Sequence, residues 1–569
     1  MSSFLFPDYT ADAVPPGSDG AKALGAFYTD VQVADFLVWW ALRSPQDTVM
    51  DPCFGGGVFL RSACKRVLQL GGQPASQVFG AEIDAEVHAR IAEKLADEFK
   101  VNGQNLRLAD FFGLDPASSP RVSAIVGNPP FIRYQRFSGE ARKQALMRCR
   151  RQGVRIPELC SSWAPFLVQS IAMLQQGGRL AMVVPMEIGH ARYALPVLDH
   201  LRLSFGKVTF LTFRKKLFPD LSEDTLLLLA EDKGAPSTGF LLRDLPHAGL
   251  LAGVQRHKQW HRLGTRRLDA DLLCQGRARL VESFLPRKAR ELYRELKQRS
   301  LTQRLGNLAD VGIGYVTGAN EFFHLDPQAA RQWGIPRRFL RPAVRRGRAL
   351  SGLRFTADDW RKAVDSGQAG YLLHIEADGD LPEGVRGYLQ GGEKQGVHKG
   401  YKCRVRSPWY RVPHVHRPDA FLSYMSGIMP RLVANEAGAV APNSLHMLRL
   451  HTHTTLTSDA VAALWQTSLV RLSVEIEGHP LGGGMLKMEP TEAENVVVPW
   501  SHGADLSVLT GLAEELDSLV REGDDATAQA RADATILQRG MGLSASDCHL
   551  LQMAADLLRS RRYSRSAGS

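Results

Sequence analysis

Cysteine is scarce and scattered: Cys53, Cys64, Cys149, Cys160, Cys274, Cys403 and Cys548 form no CxxC pair, and none stands at metal-ligand spacing from a histidine. A zinc site or a disulfide scaffold is thereby excluded, and reduced, mostly structural thiols are expected, with no metal. Long apolar runs are also missing; none reaches the roughly 18 residues that span a bilayer. The opening MSSFLFPDYT lacks the basic stretch followed by an apolar core that marks a secretory leader. A cytoplasmic protein with no membrane partner is expected. No repeat recurs at a fixed period, and the single low-complexity tract is the terminal RSRRYSRSAGS, which leaves solenoids out. Negative charge is in short supply. The chain carries 70 Lys and Arg against 59 Asp and Glu, net +11, and residues 251–350 alone hold 21 against 8, a surplus of 13. Such a stretch attracts a polyanion such as nucleic acid, although a block of solvated surface arginine looks similar.

What is present suits a chain of two or three domains, since 569 residues at 44% apolar composition can bury more than one core. From about residue 30 to 232, short β-branched or apolar runs alternate with helical patterns, the mark of a parallel sheet with crossover helices. Strands are expected at 48–50, 78–81, 122–126, 180–184, 208–213 and 226–230. Between the first two, Ala63, Val67 and Leu70 recur at helical intervals after Phe59. The expected organisation is an N-terminal arm (1–20), an α/β catalytic domain (21–240), a basic connector (241–300), a mixed α+β domain (301–503) and a helical C-terminal segment (504–569).

The stretch TVMDPCFGGGVFLRSACKRV sets Asp51 at the end of a strand, then a glycine-rich turn, then a helix. A nucleoside cofactor binds in this way at the carboxyl end of a parallel sheet. Gly55, Gly56 and Gly57 let the backbone approach the ligand, and Asp51 can accept a hydrogen bond from an ammonium group. Glycine-rich turns also simply close βα units. The next strand, ending Gly80-Ala81-Glu82-Ile83-Asp84, adds a carboxylate where a ribose diol is gripped. A dinucleotide site shares both features, but the turn lacks GxGxxG spacing. A third acidic-aromatic step, Asp110-Phe111-Phe112, then stands where an adenine can be bound.

The strand at 122–126 runs into Gly127-Asn128-Pro129-Pro130-Phe131. Asn-Pro is a common turn dipeptide. An amide, two prolines and an aromatic at a strand end also make a rigid polar pocket. An adenine amine is a poor nucleophile, because its lone pair is delocalised into the ring. Hydrogen bonds from its two N–H groups to the Asn128 side-chain oxygen and the Pro129 carbonyl would localise that pair, and Phe131 would stack on the base.

Taken in order, Gly25-Ala26-Phe27-Tyr28-Thr29, the Asp51 turn, Glu82, Asp110-Phe111 and Asn128-Pro129-Pro130-Phe131 resemble the catalytic domain of gamma-class, TaqI-type adenine-specific DNA methyltransferases of restriction-modification or related defence systems. The resemblance implies a Rossmann-like domain that uses S-adenosylmethionine. It implies cofactor contacts by Tyr28, Thr29, Asp51, Pro52, Gly55, Gly57, Glu82, Ile83, Asp110 and Phe111, catalysis by the Asn128 loop, and Phe218 covering the flipped adenine opposite Phe131. Two departures are Phe131 where Tyr is usual and Asp30 where Pro follows Thr29. Residues 305–320 (LGNLADVGIGYVTGAN) and 482–490 (GGGMLKMEP) resemble, more loosely, the entry and end of target-recognition domains of this family. Between them, Arg337, Arg338, Arg345, Arg346, Arg404 and Arg406 are candidate DNA contacts, mostly to phosphates. The expected activity is N6 methylation of adenine in double-stranded DNA by base flipping. Rival readings are a methyltransferase for protein glutamine or RNA, and an inactive DNA-specificity subunit. Fewer than 30 residues precede the catalytic unit, so any restriction endonuclease, or a defence-system subunit, is expected as a separately encoded partner.

Overall fold

The computed structural model describes residues 29–218, 224–256, 259–376, 379–500 and 506–565. The chain divides into two compact units, Met1–Ala278 and Arg279–Ser569.

The first unit is built on nine strands: β1 (Val49–Asp51), β2 (Val78–Glu82), β3 (Leu106–Leu108), β4 (Val122–Gly127), β5 (Leu174–Pro185), β6 (Phe205–Phe213), β7 (Thr225–Lys233), β8 (Phe240–Leu245) and β9 (Arg266–Leu268). They form one sheet in the order β3-β2-β1-β4-β5-β7-β6-β8-β9. From β3 to β5 the strands are parallel. β7 inserts antiparallel between β5 and β6, β8 runs parallel to β6, and β9 closes the edge antiparallel. Every residue of β4 is buried, as a strand with helices on both faces requires, and its apolar run is broken only by Ser123, whose hydroxyl accepts from the Thr48 N–H at 2.8 Å.

The connecting helices include α1 (Val31–Ala41), α2 (Val58–Leu70), α3 (Ala85–Phe99), α4 (Gly139–Arg151), α5 (Trp163–Met173) and α6 (Leu195–Ser204). Local chemistry sets their ends. α2 lies between Gly57 at φ 76° and Gly71 at φ 86°, left-handed positions that glycine adopts without steric cost. α3 starts where Asp84 accepts from the N–H groups of Glu86 and Val87. α5 is buried along its whole length, so it is a core helix.

The α/β architecture and the six expected strands are present, with three differences. The sheet is mixed, because β7 reverses direction. β3 was not expected: LRL is too short to make a run. The third difference concerns 241–300, which is no connector. β8 and β9 extend the sheet, and Trp260 packs on Phe36 and Trp40 with ring centroids 5.9 and 6.4 Å apart. Arg243 of β8 is buried with its guanidinium 3.9 Å over the Trp260 ring. Charged residues in FLLRDL and RRL break the apolar pattern there, as befits strands at a protected edge.

The second unit is mixed α+β. A five-stranded sheet is formed by Ala309–Ile313, Leu445–Leu450, Ala420–Ser423, Leu432–Asn435 and Arg354–Phe355, and a three-stranded one by His324–Leu325, Ala369–Leu373 and Leu340–Val344. The segment expected as a C-terminal tail is helical, with Leu506–Arg521 and Ala545–Ser564 its longest helices, but it belongs to this core. Arg562 is buried, pairs with Glu475 at 2.8 Å and donates to the Gly427 carbonyl at 2.8 Å. Removing either partner of such a pair costs about 3–5 kcal/mol, because the other charge stays buried alone.

Candidate active site

The sheet order β3-β2-β1-β4 sets four of the expected site residues in a row along its carboxyl edge: Asp110 just beyond β3, Glu82 closing β2, Asp51 closing β1 and Asn128 just beyond β4. Asp51 is 1% exposed, and its Oδ1 accepts from the Cys53 N–H at 3.1 Å. Burial, with Glu82 nearby, pushes its carboxyl up to about 8 against the lowering effect of the Cys53 bond. Such a group favours a cationic neighbour, which would restore the carboxylate. At Gly127 a Cβ would lie 2.9 Å from Asp51 Oδ1, so only glycine lets β4 pass this close.

Glu82 organises the glycine turn. Its Oε2 accepts from the Gly55 N–H at 2.9 Å and its Oε1 from the N–H groups of Ile83 and Asp84 at 2.8 and 3.0 Å. A carboxylate offers about four acceptor positions, so one direction is left for a ligand hydroxyl. Gly55 is left-handed at φ 44°, and a Cβ on Gly57 would meet Ile91 Cγ2 at 2.7 Å. Pro52 is buried. Ile83 is 59% exposed beside Glu82, an apolar surface that a planar base would cover. Asp110 caps the next turn through the Phe112 N–H at 3.0 Å. The Phe111 ring does not face outward: it is 2% exposed and stacked on Phe166 with centroids 5.3 Å apart.

In the loop after β4, the Asn128 Nδ2 donates to Thr29 Oγ1 at 3.2 Å. This orients the amide so that Oδ1 is buried with no hydrogen-bond partner among the described residues. An orphan acceptor of this kind costs free energy unless a ligand donor reaches it. Pro129 and Phe131 are buried and Pro130 is half-buried; Phe218 is 8% exposed. Tyr28, with Gly25, Ala26 and Phe27, lies outside the described residues. Sequence reasoning missed Ser162, which anchors this loop just ahead of α5. Its hydroxyl donates to the Pro130 carbonyl and accepts from the Ile132 N–H at 2.9 Å, while its own N–H donates to the Ile132 carbonyl at 2.9 Å. The one available signal was a polar pair, Ser161-Ser162, breaking into an otherwise apolar helix start.

In the second unit the six candidate arginines separate. Arg337, Arg338, Arg346 and Arg404 are exposed. Arg345 and Arg406 are half-buried and engage the protein's own backbone. Arg345 donates to the His324 carbonyl at 2.8 Å, and Arg406 clips the carbonyls of Thr317 and Val316 at 2.7 and 2.5 Å. Of the basic surplus of 251–350, Arg279 is paired with Glu477 from outside that stretch, while Arg287, Arg294 and Arg299 pair with Glu291, Glu282 and Glu295, acids already counted within it. Among the described residues no group of three His, Cys, Asp or Glu could hold a metal ion, and no helix is long and apolar enough to cross a membrane.

Comparison with known proteins follows the same division. Residues 17–189 match the N-6 DNA Methylase family, and residues 277–537 match the C-terminal domain of the Type II methyltransferase M.Eco57I. The Type II methyltransferase M.AccI of Acinetobacter calcoaceticus is 22% identical over 491 residues, covering 83% of this chain and 84% of that protein. M.HincII of Haemophilus influenzae, also a Type II methyltransferase, is 25% identical over 163 residues, 29% of this chain and 28% of that protein. Among solved structures, the Type IIL restriction-modification enzyme MmeI in complex with DNA matches 93% of this chain and 75% of its own, at TM-score 0.57 and 11% identity. The DrdV–DNA complex matches 88% and 58%, at TM-score 0.51 and 12% identity. At these identities the structures speak for the fold alone.

Proposed function

We propose that this chain, which joins an N-6 DNA methylase domain to a Type II methyltransferase C-terminal domain, is a site-specific DNA methyltransferase acting on the N6 amine of adenine in duplex DNA. One observation carries the reading: Asn128 presents a buried Oδ1, without a partner among the described residues, at the carboxyl end of β4, held in that orientation by Thr29. That atom is an acceptor waiting for an N–H donor. The family order of motifs, with the Asp51 turn ahead of the Asn128 loop, supports a gamma-class assignment.

The residues present fit S-adenosylmethionine. Asp51 lies where an ammonium would be drawn, Glu82 keeps an acceptor direction for ribose, and Ile83 offers an apolar face. When bound, this cofactor supplies a methyl group on a positively charged sulfur. The protein's own contribution is positioning. Asn128 Oδ1 and the Pro129 carbonyl take the two amine N–H groups, which withdraws the nitrogen lone pair from the ring and stabilises the positive charge that develops on the nitrogen as it is methylated. Ser162 fixes the loop so that both acceptors keep their spacing. Phe131 and Phe218 supply apolar surface for the extruded base. Extrusion costs a few kcal/mol of stacking, and exposed Arg337, Arg338, Arg346 and Arg404 contribute phosphate contacts that offset it. A separately encoded endonuclease would complete a restriction system.

The test is methylation-sensitive sequencing of genomic DNA from cells expressing the chain, with digestion to nucleosides. N6-methyladenine at one recurrent sequence is the expected result. Detection of N4-methylcytosine alone, or of no modified base, would overturn the assignment.

A further inference from the structure

Just beyond the Asn128 loop, Arg133, Tyr134, Gln135 and Arg136 are all exposed. Tyr134 is 43% exposed and stands only three residues after Phe131. Chain length alone keeps its Cα within about 11 Å of the Phe131 Cα. The charge that follows the loop is nearly all of one sign: from Ile132 to Arg151 there are seven Lys or Arg against the single acid Glu140.

The turn that carries Tyr134 is held at both ends. Ahead of it, Ile132 is tied to Ser162 twice, its N–H donating to the Ser162 Oγ and its carbonyl accepting from the Ser162 N–H, both at 2.9 Å. Within it, the Arg133 carbonyl accepts from the N–H groups of Arg136 and Phe137, each at 2.9 Å. After it, Phe137 is 4% exposed with its ring 6.2 Å from that of Phe112, which packs edge-on against Phe166 of α5. Ser162 therefore fixes the Asn128 loop and the Tyr134 turn together, and the tyrosine is offered to solvent from a rigid base.

An adenine that reaches Asn128 stays bonded to its own sugar and phosphates, so the duplex it has left lies within one nucleotide's length of that loop. A side chain three residues away is then beside the duplex. The cationic stretch suits the phosphates, and an aromatic face suits a base that unstacking has laid bare.

We infer that Tyr134 enters the base stack next to the target adenine and covers the neighbouring base that extrusion exposes, holding the target out of the helix. All the residues involved belong to the first unit, and the inference rests on the DNA-methylating reading above. Inserted apolar side chains unstack base steps in other DNA-binding proteins, and base–aromatic stacking is worth roughly 10- to 100-fold per base on alanine substitution.

The experiment uses the full chain and a duplex containing the site found by sequencing, with the target adenine paired with thymine or placed opposite an abasic site. Tyr134→Ala should methylate the paired target about 10- to 100-fold more slowly and lose the fluorescence rise of 2-aminopurine at the target position. It should methylate the unpaired target within about threefold of the wild-type rate. Tyr134→Phe keeps the aromatic face and should behave as wild type, and cofactor affinity and melting temperature should stay unchanged in both variants. Equal losses on paired and unpaired targets would make Tyr134 a general DNA contact and overturn the inference. Wild-type rates of Tyr134→Ala on both targets, or a marked fall in its melting temperature, would overturn it too, the first by showing no part in extrusion and the second by making Tyr134 a packing residue. A wild-type chain that methylates neither duplex would bring down the DNA-methylating reading itself, which separates that failure from the failure of Tyr134 alone.

Discussion

Replacing Asn128 by alanine separates what this residue does for the fold from what it does for the reaction. In the folded protein the substitution deletes one hydrogen bond, Nδ2 to Thr29 Oγ1 at 3.2 Å, worth about 0.5–1.5 kcal/mol. It also deletes a buried Oδ1 that has no partner among the described residues, and an unsatisfied buried acceptor costs about 1–3 kcal/mol. The two contributions oppose each other, so unfolding free energy should stay level or rise by about 1 kcal/mol. On the reaction side the same change removes an acceptor aimed at the developing charge, and loss of one such group typically lowers turnover by about 10²–10³-fold. Denaturant melts and single-turnover methyl transfer on one preparation measure both effects, with calorimetry to show that cofactor affinity is kept. A variant destabilised by more than about 2 kcal/mol, or one that turns over within tenfold of wild type, would refute the reasoning.

Glu82→Ala should weaken S-adenosylmethionine binding by roughly 10- to 100-fold, since a charged acceptor is lost and the Gly55 turn is released; unchanged calorimetric affinity would place the ribose elsewhere. Asp51, raised to about 8 by burial and Glu82, holds a proton in the ligand-free protein at neutral pH. Because its folded value lies above the unfolded one, the stability it contributes is full below about pH 4 and is lost as pH rises towards 8, and Asp51→Asn should flatten that slope in pH-dependent melts. A cation bound at Asp51 should also release a proton near pH 7, and identical binding enthalpies in buffers of different ionisation enthalpy would contradict this. Ser162→Ala should cost about 1–3 kcal/mol of stability and lower kcat more than it raises the KM for the cofactor, because it frees the Asn128 loop; a pure KM effect would assign Ser162 to the cofactor side.

Much of the catalytic row was legible because its signals are local. β1, β2 and β4 are short apolar runs that stop abruptly at Asp51, Glu82 and Gly127-Asn128, and in a parallel sheet such stops lie on one edge. The strands β8 and β9 were not legible, because Arg243 and Asp244 in one and Arg266 and Arg267 in the other mix charges into runs that lose the apolar signature. Side-chain commitment was invisible for another reason. Whether Arg345 and Arg406 reach DNA or tie down the carbonyls of His324, Val316 and Thr317 depends on residues far along the chain. Phe111 likewise holds its expected place while its ring turns inward onto Phe166. Ser162 left only the polar pair Ser161-Ser162 as a signal, and its loop partners Pro130 and Ile132 lie some thirty residues earlier in the chain.

The buried pairing of Arg562 with Glu475 and the Gly427 carbonyl bears on how the protein is made. Every strand of the first unit has been synthesised by residue 268, whereas the second unit lacks its closing charge until residue 562 leaves the ribosome. At a translation rate of about 5–20 residues per second, the nearly 300 residues between take roughly 15–60 s. The first unit should therefore mature first, while the second stays open and protease-sensitive on the nascent chain. Limited proteolysis of released chains ending before residue 562 and of the full chain would show it, by a protected fragment of the second unit in the full chain and none in the shorter.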